Sequence, residues 1–495
     1  ERHFNSPSGV AVDANGGIYV ADTNNYRVQK CALLASDYAC ATFAGERGMI
    51  SASFDHLHPV SVAVDPAGRV AVIDQRNNRV QVFDRQGNYQ TTIAGVFGPQ
   101  PGGLRQPMAA QFDQAGNLYV ADQNNHRVQR YAPGTPAWTQ WNLNGFGTPT
   151  NALVLSLASF NGQLYAGSDN ASTGAQLWRN SSDAAGGWSA LTSNGFGDAS
   201  NGGINYLLPF GGQLYAGTWN WNAASNSSSG GQLWRSPNGS DWTRVVNNGF
   251  GDPNNGEVFR LAVFANQLYA STWSYGAGRG AEIWRSPTGN AGSWSRVVVN
   301  GFDDGANEAI ISFETFGGQL YAGAINSVTG GQIWRSPDGV SWSQVNTAGF
   351  GWSSNWAISA LAAFDGNLYA STREGGQVWR CQTCDGSDWQ RVVNAGFGNS
   401  ATTRASALAV AAGALYLVIG NYSTGLEVWR TTDGVDWQPV GLAGLGDSNN
   451  RAPFWDNSVL AEGNRLLVGT WNTANGGEIW SYQPLSVYLP VAIRH

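Results

Sequence analysis

Apolar and polar residues alternate along most of this 495-residue chain, in short runs that end at glycine, asparagine or aspartate. The runs GIYVAD at residues 17–22 and GQLYAG at residues 162–167 show the period of two that is typical of half-buried β-strands. The Asn, Asp and Gly residues between the runs favour the tight turns that join antiparallel strands. The pattern predicts an all-β chain of many short strands.

Three segments between residues 4 and 134 repeat the same order of elements. Each holds an apolar strand, an Asp-containing turn, a second strand, an Asn-rich turn and a strand that begins Arg-Val-Gln. The segments are PSGVAVDANGGIYVADTNNYRVQKC, PVSVAVDPAGRVAVIDQRNNRVQVF and PMAAQFDQAGNLYVADQNNHRVQRY. They resemble NHL repeats, whose name-giving motif is approached by Asn125-His126-Arg127 and, in the same register, by Asn25-Tyr26-Arg27 and Asn77-Asn78-Arg79. The resemblance implies that residues 1–134 form three β-propeller blades.

A second repeat occupies residues 135–484 and recurs seven times, with a period of about 50 residues that is typical of propeller blades. Each copy has strands such as LVLSLASF, GQLYAGS and QLWRS. Tryptophan recurs at one place in the third strand, at Trp178, Trp234, Trp284, Trp334, Trp379, Trp429 and Trp480, and at one place in the fourth, at Trp188, Trp242, Trp294, Trp342, Trp389 and Trp437. Large aromatic residues at one fixed place in each copy favour packing between blades over ligand contact.

The turns after three of these third strands, SPNGSDW, SPDGVSW and TTDGVDW, resemble the Asp-box turn of sialidase-like propellers. In that family the box is a folding element. The resemblance therefore implies that Asn238, Asp338 and Asp433 cap their own turns.

The ten units leave two arrangements open. In the first, the segment at Trp138 completes the third NHL-like unit, and residues 485–495 supply the last unit's fourth strand, formed by Val487, Tyr488, Leu489 and Val491. All ten units then own four strands, which permits one ten-bladed ring resembling that of sortilin-type receptors. In the second, the Trp138 segment closes a seven-bladed ring, the three-blade NHL part is completed in trans, and residues 485–495 dock on a neighbouring subunit. The spacing of Tyr488 from Trp480, which matches that in other units, slightly favours the ten-bladed ring.

Charge and cysteine content narrow the class of protein. The net charge is −7 and no basic block occurs, which argues against nucleic acid as a partner. No apolar run is long enough to cross a bilayer. The close pairs Cys31 with Cys40 and Cys381 with Cys384 predict two local disulfides and an oxidising compartment. We expect an extracellular or cell-surface protein. The start at Glu1 is typical of a secreted chain after removal of its signal peptide, or of an expressed fragment.

The residues needed for catalysis are not evident in the pattern. No histidine lies between His126 and His495, so the Trp-type units lack the commonest general base. A sialidase would need an arginine cluster, a Tyr–Glu pair and an acid. The arginines after the third-strand tryptophans recur too evenly for such a group, so we expect no enzyme activity and no cofactor, with glycoside hydrolysis as the remaining enzymatic alternative.

Acidic residues recur in the loops before the first strands, in NGFGDASNG, NGFGDPNNG, NGFDDGANE and GLGDSNN. Their carboxylates are candidate calcium ligands, at Asp198, Asp252, Asp303, Asp304 and Asp447. The alternative is that these side chains hydrogen-bond to amides of their own loops as Asx turns.

Six tryptophans outside the two regular series are candidates for ligand contact: Trp219, Trp221, Trp273, Trp352, Trp356 and Trp471. Loop tryptophans beside Asn and Ser could stack on sugar rings, anchor a protein partner or pack between blades. We therefore expect a non-enzymatic, extracellular interaction scaffold that self-assembles as a surface or filament subunit, with other copies, surface proteins or glycans as partners. A lectin-like glycan binder is the alternative.

Overall fold

The computed structural model describes residues 3–34, 37–44, 57–66, 68–87, 89–93, 104–114, 116–131, 138–182, 186–192, 194–222, 225–398, 401–441, 443–453, 455–463 and 465–483. Antiparallel strands form almost all of the regular structure, which confirms the all-β prediction. The chain folds as two compact units. The first comprises Glu1–Trp138, Gln438–Leu442 and Tyr482–His495, and the second comprises Thr139–Trp437 and Ala443–Ser481.

In the first unit, the NHL-like segments form three antiparallel sheets. Their strands are β1 (Pro7–Val12), β2 (Ile18–Asp22), β3 (Arg27–Leu34) and β4 (Asp37–Ala44); β5 (Pro59–Val64), β6 (Val70–Asp74), β7 (Arg79–Phe83) and β8 (Tyr89–Ile93); and β9 (Pro107–Phe112), β10 (Leu118–Asp122) and β11 (Arg127–Tyr131). Within each sheet the strands pair in chain order. The sheets stack, with β1 against β5 and β5 against β9, and each junction holds its own apolar core.

A buried aspartate at the end of the second strand organises each NHL-like sheet. Asp22, Asp74 and Asp122 are wholly buried, and each accepts a hydrogen bond from the arginine of the NHL motif. The Nε–Oδ2 distances are 2.9 Å from Arg27, 2.8 Å from Arg79 and 2.8 Å from Arg127. The residue before that arginine, His126 in the third sheet, has a φ of +51°, so the chain reverses sharply and the arginine returns to the aspartate. The motif residues therefore have a folding role.

The second unit contains the seven Trp-type repeats. A short strand, β12 (Thr139–Gln140), precedes them. The first four repeats contain β13 (Val154–Phe160), β14 (Gln163–Ser168), β15 (Leu177–Asn180) and β16 (Trp188–Thr192); β17 (Asn201–Phe210), β18 (Gln213–Asn220), β19 (Leu233–Ser236) and β20 (Thr243–Val246); β21 (Asn255–Phe264), β22 (Gln267–Ser274), β23 (Ile283–Ser286) and β24 (Ser295–Val298); and β25 (Asn307–Phe316), β26 (Gln319–Asn326), β27 (Ile333–Ser336) and β28 (Ser343–Gln344). The last three contain β29 (Ile358–Phe364), β30 (Asn367–Thr372), β31 (Val378–Cys381) and β32 (Gln390–Val393); β33 (Thr402–Ala411), β34 (Ala414–Asn421), β35 (Gly425–Thr431) and, within the range of the first unit, β36 (Gln438–Pro439); and β37 (Val459–Glu462), β38 (Arg465–Gly469) and β39 (Ile479–Tyr482). The first strand of each repeat contacts the first strand of the next, and β37 contacts β13.

Short helical turns occupy the loops before the first strands and a few other loops. They lie at Thr23–Asn25, Gln123–Asn125, Asn144–Gly147, Asn194–Gly197, Asn248–Gly251, Asn300–Asp303, Ala348–Gly351, Ala395–Gly398, Ala443–Gly446 and Asp456–Ser458. In the NGFD loop at 300–303, the ring of Phe302 stacks on Trp334 at 4.3 Å and meets the edge of Trp342 at 5.5 Å. The same stacking on a third-strand tryptophan recurs at Phe146, Phe196, Phe250, Phe350 and Phe397. These third-strand tryptophans thus stack on a phenylalanine of their own repeat, and Trp234 and Trp242 also border an apolar cluster formed by two successive repeats, which is the packing between blades that the sequence predicts.

The Asp-box turns have the capping geometry that the resemblance implies. The Oδ1 atom of Asp338 accepts hydrogen bonds from the backbone N–H groups of Val340 at 2.8 Å and Ser341 at 2.7 Å. These backbone donors hold the pKa of the Asp338 carboxyl well below its usual range. Asn238 and Asp433 make the same pair of bonds in their own turns.

Strand β12 corrects the arrangement that the sequence slightly favoured. Thr139 pairs with Ser481 and Gln140 with Trp480, so the segment after Trp138 supplies the fourth strand of the last repeat and does not complete the third NHL-like sheet. In the described residues, that NHL-like sheet has three strands. The spacing of Tyr488 from Trp480 was a misleading guide to the fourth strand of the last repeat, because Tyr488 matches the other fourth strands only in its spacing. The segment at β12 resembles the other fourth strands in sequence, and it pairs with the backbone of β39. Val487, Tyr488, Leu489 and Val491 lie outside the described residues, so their role as an assembly strand stays a prediction.

Both predicted disulfides are present. Cys31 pairs with Cys40 across β3 and β4, where the two residues stand in register, and Cys381 pairs with Cys384 in a turn after β31. Within the part of the chain that the structure describes, none of the helices has the length and apolar character needed to cross a membrane.

Candidate binding site

Four aromatic side chains from two successive repeats line an open pocket of about 740 Å³ in the second unit. Trp219 and Trp221 lie at the end of β18, and Trp273 and Tyr275 take the same two places at the end of β22. Residues two apart on an extended chain point to the same side, so each repeat contributes a pair of rings. The remaining wall consists of Ser274, Gly276, Ala277, Gly278, Gly305, Ala306, Glu308 and Val328.

The backbone holds the two pairs of rings in the same way. The N–H of Trp221 donates to the carbonyl oxygen of Ser200, and the N–H of Tyr275 donates to that of Asn254, both at 2.8 Å. The rings of Trp221 and Tyr275 then meet edge to face, with their centroids 5.5 Å apart. Backbone hydrogen bonds therefore fix both aromatic segments.

A buried carboxylate lies behind the aromatic wall. Glu257 pairs with Trp219 between β21 and β18, and only 8% of its surface is exposed. It accepts hydrogen bonds from the Tyr275 hydroxyl and from the Asn205 side-chain amide, both at 2.6 Å. Burial raises the pKa of Glu257 to about 7, although these two bonds act to lower it. The hydroxyl of Tyr275 is therefore fixed by a group that titrates near neutral pH.

The close approach of Gly256 to Tyr275 also positions that ring. A Cβ atom at position 256 would lie 2.1 Å from the Tyr275 ring, so only glycine fits without displacing it. On its open side, the pocket carries Glu308, which accepts a hydrogen bond from the Ser327 hydroxyl at 3.2 Å. The pocket thus combines aromatic faces with a small number of polar groups, as ligand sites usually do.

The structure brings together three of the six tryptophans predicted for ligand contact. Trp219, Trp221 and Trp273 line the pocket. Trp352 is 47% exposed and lies in another repeat, beside Trp379. Trp356 and Trp471 do not line the pocket either, since each packs under an arginine.

An arginine cluster lies on the fifth to seventh repeats. Arg373 and Arg404 form a backbone bridge, and the Nε atom of each is 3.7 Å from the same oxygen of Glu374. Arg404 and Arg451 both lie over the ring of Tyr422, at 4.9 Å and 5.7 Å. Burial and the nearby Arg404 lower the pKa of Arg373 to about 10. The sequence analysis considered only the evenly spaced arginines that follow the third-strand tryptophans. The cluster consists of other arginines, which that pattern does not include.

Trp455 lies between the pocket and this cluster. Its ring is 5.8 Å from that of Trp273 on one side and 4.6 Å from the guanidinium of Arg373 on the other. Next to it, Asp456 forms a buried ion pair with Arg260, whose guanidinium also lies 4.4 Å from the ring of Tyr206. These charges face a cavity of about 420 Å³ lined by the first strands of the repeats.

The predicted calcium ligands are spread over separate loops. Asp198, Asp252, Asp304 and Asp447 each accept a hydrogen bond from a backbone N–H two residues further along the chain. Their second oxygens accept bonds from side chains such as Gln232 and Arg279. Asp303 stands next to Asp304 on the exposed side of its loop. The bonds of the other four aspartates have the Asx-turn pattern. Among the described residues, no group of three or more acidic, histidine or cysteine side chains is arranged to hold a metal. Calcium binding by the five aspartates stays a prediction.

Sequence reasoning missed Tyr275 and Glu257. Tyr275 had a usable signal, because TWNWN at 218–222 aligns with TWSYG at 272–276, so that Tyr275 takes the place of Trp221. Glu257 had none, since its burial depends on the bridge between two repeats.

The antiparallel sheets and the contacts between successive sheets define an all-β, propeller-like protein. Its repeats are of two kinds, NHL-like and Trp-type. The NHL repeat family matches residues 4–31 and 57–83, which are the first two of the three predicted repeats. The DUF6242 beta propeller domain matches residues 236–437. The chain therefore carries NHL repeats and a region similar to a propeller domain family.

Curated relatives match the NHL part. NHL repeat-containing protein 3 of Homo sapiens is 37% identical over 82 residues, and that of Mus musculus is 35% identical over the same length. The matched region is 17% of this chain and 23% of each relative, so the match spans about a quarter of the length of these relatives.

Several solved structures resemble most of the chain at low sequence identity. YCF48 from Cyanidioschyzon merolae is 13% identical, with a TM-score of 0.47, over 70% of this chain and 98% of that one. YCF48 bound to D1 peptide is 11% identical, with a TM-score of 0.46, over 72% and 98%. A structure from a study of two prolyl endopeptidases is 13% identical, with a TM-score of 0.42, over 69% and 52%.

Proposed function

We propose that the protein is a non-catalytic, extracellular binding propeller whose ligand, a glycan, occupies the aromatic pocket of the second unit. The observation that carries this proposal is the convergence of Trp219, Trp221, Trp273 and Tyr275 on one open pocket. Flat aromatic faces offer large contact area to the C–H faces of a sugar ring, while the indole N–H, phenol and carboxylate groups offer hydrogen bonds. The pocket volume also falls within the range of ligand sites, which is about 300–1,000 Å³.

The scaffold that presents this pocket is, in our proposal, a closed seven-bladed ring. Support comes from the contact of β37 with β13 and from the pairing of β12 with β39. A strand from the start of the ring thus completes the blade at its end, so β39 is paired on both sides.

A binding role is better supported than glycoside hydrolysis. The Tyr275–Glu257 pair and the arginine cluster are parts that a sialidase-like enzyme would use, but burial and the adjacent Glu257 raise the pKa of the Tyr275 hydroxyl. A phenol that holds its proton is a poor nucleophile. Trp455 also lies between Trp273 and Arg373, so it separates the Tyr275–Glu257 pair from the arginine cluster.

The two disulfides support an extracellular location, because such bonds persist in oxidising compartments. A second role, self-assembly, is favoured by a different observation in the NHL-like sheets, namely two exposed apolar faces.

A glycan array followed by titration tests the binding proposal. We expect the full chain to bind at least one class of glycan, with quenching of tryptophan fluorescence that saturates. Trp273→Ala should weaken binding on the order of tenfold or more, since central aromatic contacts usually dominate a site. Gly256→Ala should do the same by displacing Tyr275 while every aromatic side chain remains.

Trp352→Ala is the matched control, because this tryptophan is exposed outside the pocket. It should leave the affinity unchanged. The proposal fails if no sugar class binds, or if Trp273→Ala and Gly256→Ala bind as tightly as the wild type.

A further inference from the structure

The three NHL-like sheets pack in one repeated manner. Each sheet has a forward face, turned to the next sheet along the chain, and a backward face, turned to the preceding one. Tyr19, Ala21 and Val28 on the forward face of the first sheet are wholly buried against the second sheet. The equivalent Ala71, Ile73 and Val80 of the second sheet are buried in the same way against the third.

The forward face of the third sheet is less covered than the forward faces of the first two sheets. Tyr119 is 37% exposed, whereas the equivalent Tyr19 of the first sheet is 0% exposed. Val128 is 38% exposed, whereas the equivalent Val28 is 0% exposed. The third sheet therefore presents to solvent the same kind of surface that the first two sheets bury.

The backward face of the first sheet is exposed in a complementary way. Val10 is 66% exposed and Val12 is 61% exposed, whereas Val62, which is equivalent to Val10, is 4% exposed between the first and second sheets. The neighbouring Ile18 and Val20 are half-buried, although their equivalents in the other two sheets are buried. End repeats of a stacked array normally carry polar outer faces, and this array has apolar ones.

We propose that a second copy of this chain covers both faces, so that two three-sheet arrays join head to tail. The two faces continue the sheet–sheet interface that is established twice within the array, where a forward face packs on a backward face. A second copy supplies one face of each kind. A two-fold arrangement then buries both pairs of faces in a closed ring of six sheets.

Analytical ultracentrifugation of the full chain tests this proposal. We expect a particle of twice the 52.6 kDa mass of one chain. Val10→Asp and Val128→Asp place a charge on the backward and forward face respectively, at positions that are already exposed, so each chain should still fold. Each substitution should weaken the dimer on the order of tenfold or more, because it buries an unpaired charge at both junctions of the dimer. Val340→Asp, an exposed valine of the second unit, is the control and should leave the dimer intact.

Mixing the two variants separates head-to-tail contact from other modes of dimerisation. A dimer of one Val10→Asp chain with one Val128→Asp chain keeps one junction free of charge, so the mixture should dimerise more strongly than either variant alone. A monomeric wild type, an open polymer, or a dimer that ignores both substitutions would overturn the proposal. The proposal would also be overturned if the wild type were a monomer and dimerised only after deletion of residues 485–495, because that segment would then be what covers the apolar faces. Glycan binding by the second unit is measured separately, so failure of either proposal leaves the other standing.

Discussion

At the scale of residues, the candidate site depends on a duplication. Two repeats carry an aromatic pair at the same place, Trp219 with Trp221 and Trp273 with Tyr275, and adjacent repeats bring the pairs together. The edge-to-face contact of Trp221 with Tyr275 joins the two pairs. The difference between Trp221 and Tyr275 matters as well, because the hydroxyl of Tyr275 donates to the buried Glu257.

Glu257 makes the stability of the protein dependent on pH. Its pKa is raised from 4.5 to about 7 in the folded protein, so between these values the folded state holds a proton that the unfolded chain has lost. The contribution of Glu257 to the free energy of unfolding is therefore greatest below about pH 4.5 and is lost as the pH rises through 7. Asp456 and Glu314, whose pKa values burial raises to about 6 and about 7, act in the same direction.

Urea unfolding at pH 5 and pH 8 measures this contribution. The wild type should be less stable at pH 8, and Glu257→Gln, which cannot ionise, should reduce the difference by about 2–3 kcal/mol. Equal pH dependence in the two proteins would show that Glu257 does not titrate in this window.

At the scale of elements, β12 has the clearest structural consequence. After its two paired residues, Asn142 continues the ladder with its side chain: Oδ1 accepts from the N–H of Ile479 at 2.6 Å, and Nδ2 donates to the carbonyl of Gly477 at 3.1 Å. The fourth repeat contains a matched arrangement. There Asn346 accepts from Ile333 at 2.7 Å and donates to Gly331 at 3.2 Å.

The equivalent bonds of Asn142 and Asn346 give a controlled test of the pairing of β12 with the last repeat. Asn142→Ala and Asn346→Ala each remove two buried hydrogen bonds, and each should lower the free energy of unfolding by about 1–3 kcal/mol. Urea unfolding followed by tryptophan fluorescence measures both. If β12 did not pair with the last repeat, Asn142→Ala would have the stability of the wild type while Asn346→Ala would not.

The local elements could be predicted from the sequence, whereas their long-range partners could not. Alternation, turn residues and repeated tryptophans predicted the sheets, the packing of the regular tryptophans and both disulfides, because each depends on residues close in the chain. The partner of the Trp138 segment lies more than 300 residues away, and the spacing of Tyr488 offered a competing match. In the site, Trp219, Trp221 and Trp273 could be predicted, but the arginine cluster could not, since Arg373, Arg404 and Arg451 occupy different places in their repeats.

At the scale of the whole molecule, contacts between distant repeats support the second unit. The buried pair of Arg260 with Asp456 joins the third and seventh repeats beside the central cavity, and Asn457 donates to the carbonyl of Asn205 in the second at 2.8 Å. These bonds hold the segment around Trp455 in place, and Trp455 in turn packs against Trp273 of the pocket. The pocket is thus a product of the assembled repeats.

The central claim is that a glycan binds in this pocket, and a crystal structure with the tightest-binding oligosaccharide from the array tests it most directly. The account predicts electron density for a sugar ring that lies against Trp219 or Trp273, within hydrogen-bonding distance of Tyr275 or Glu308. Density for the sugar at the arginine cluster or on the NHL-like sheets, with an empty aromatic pocket, would contradict it.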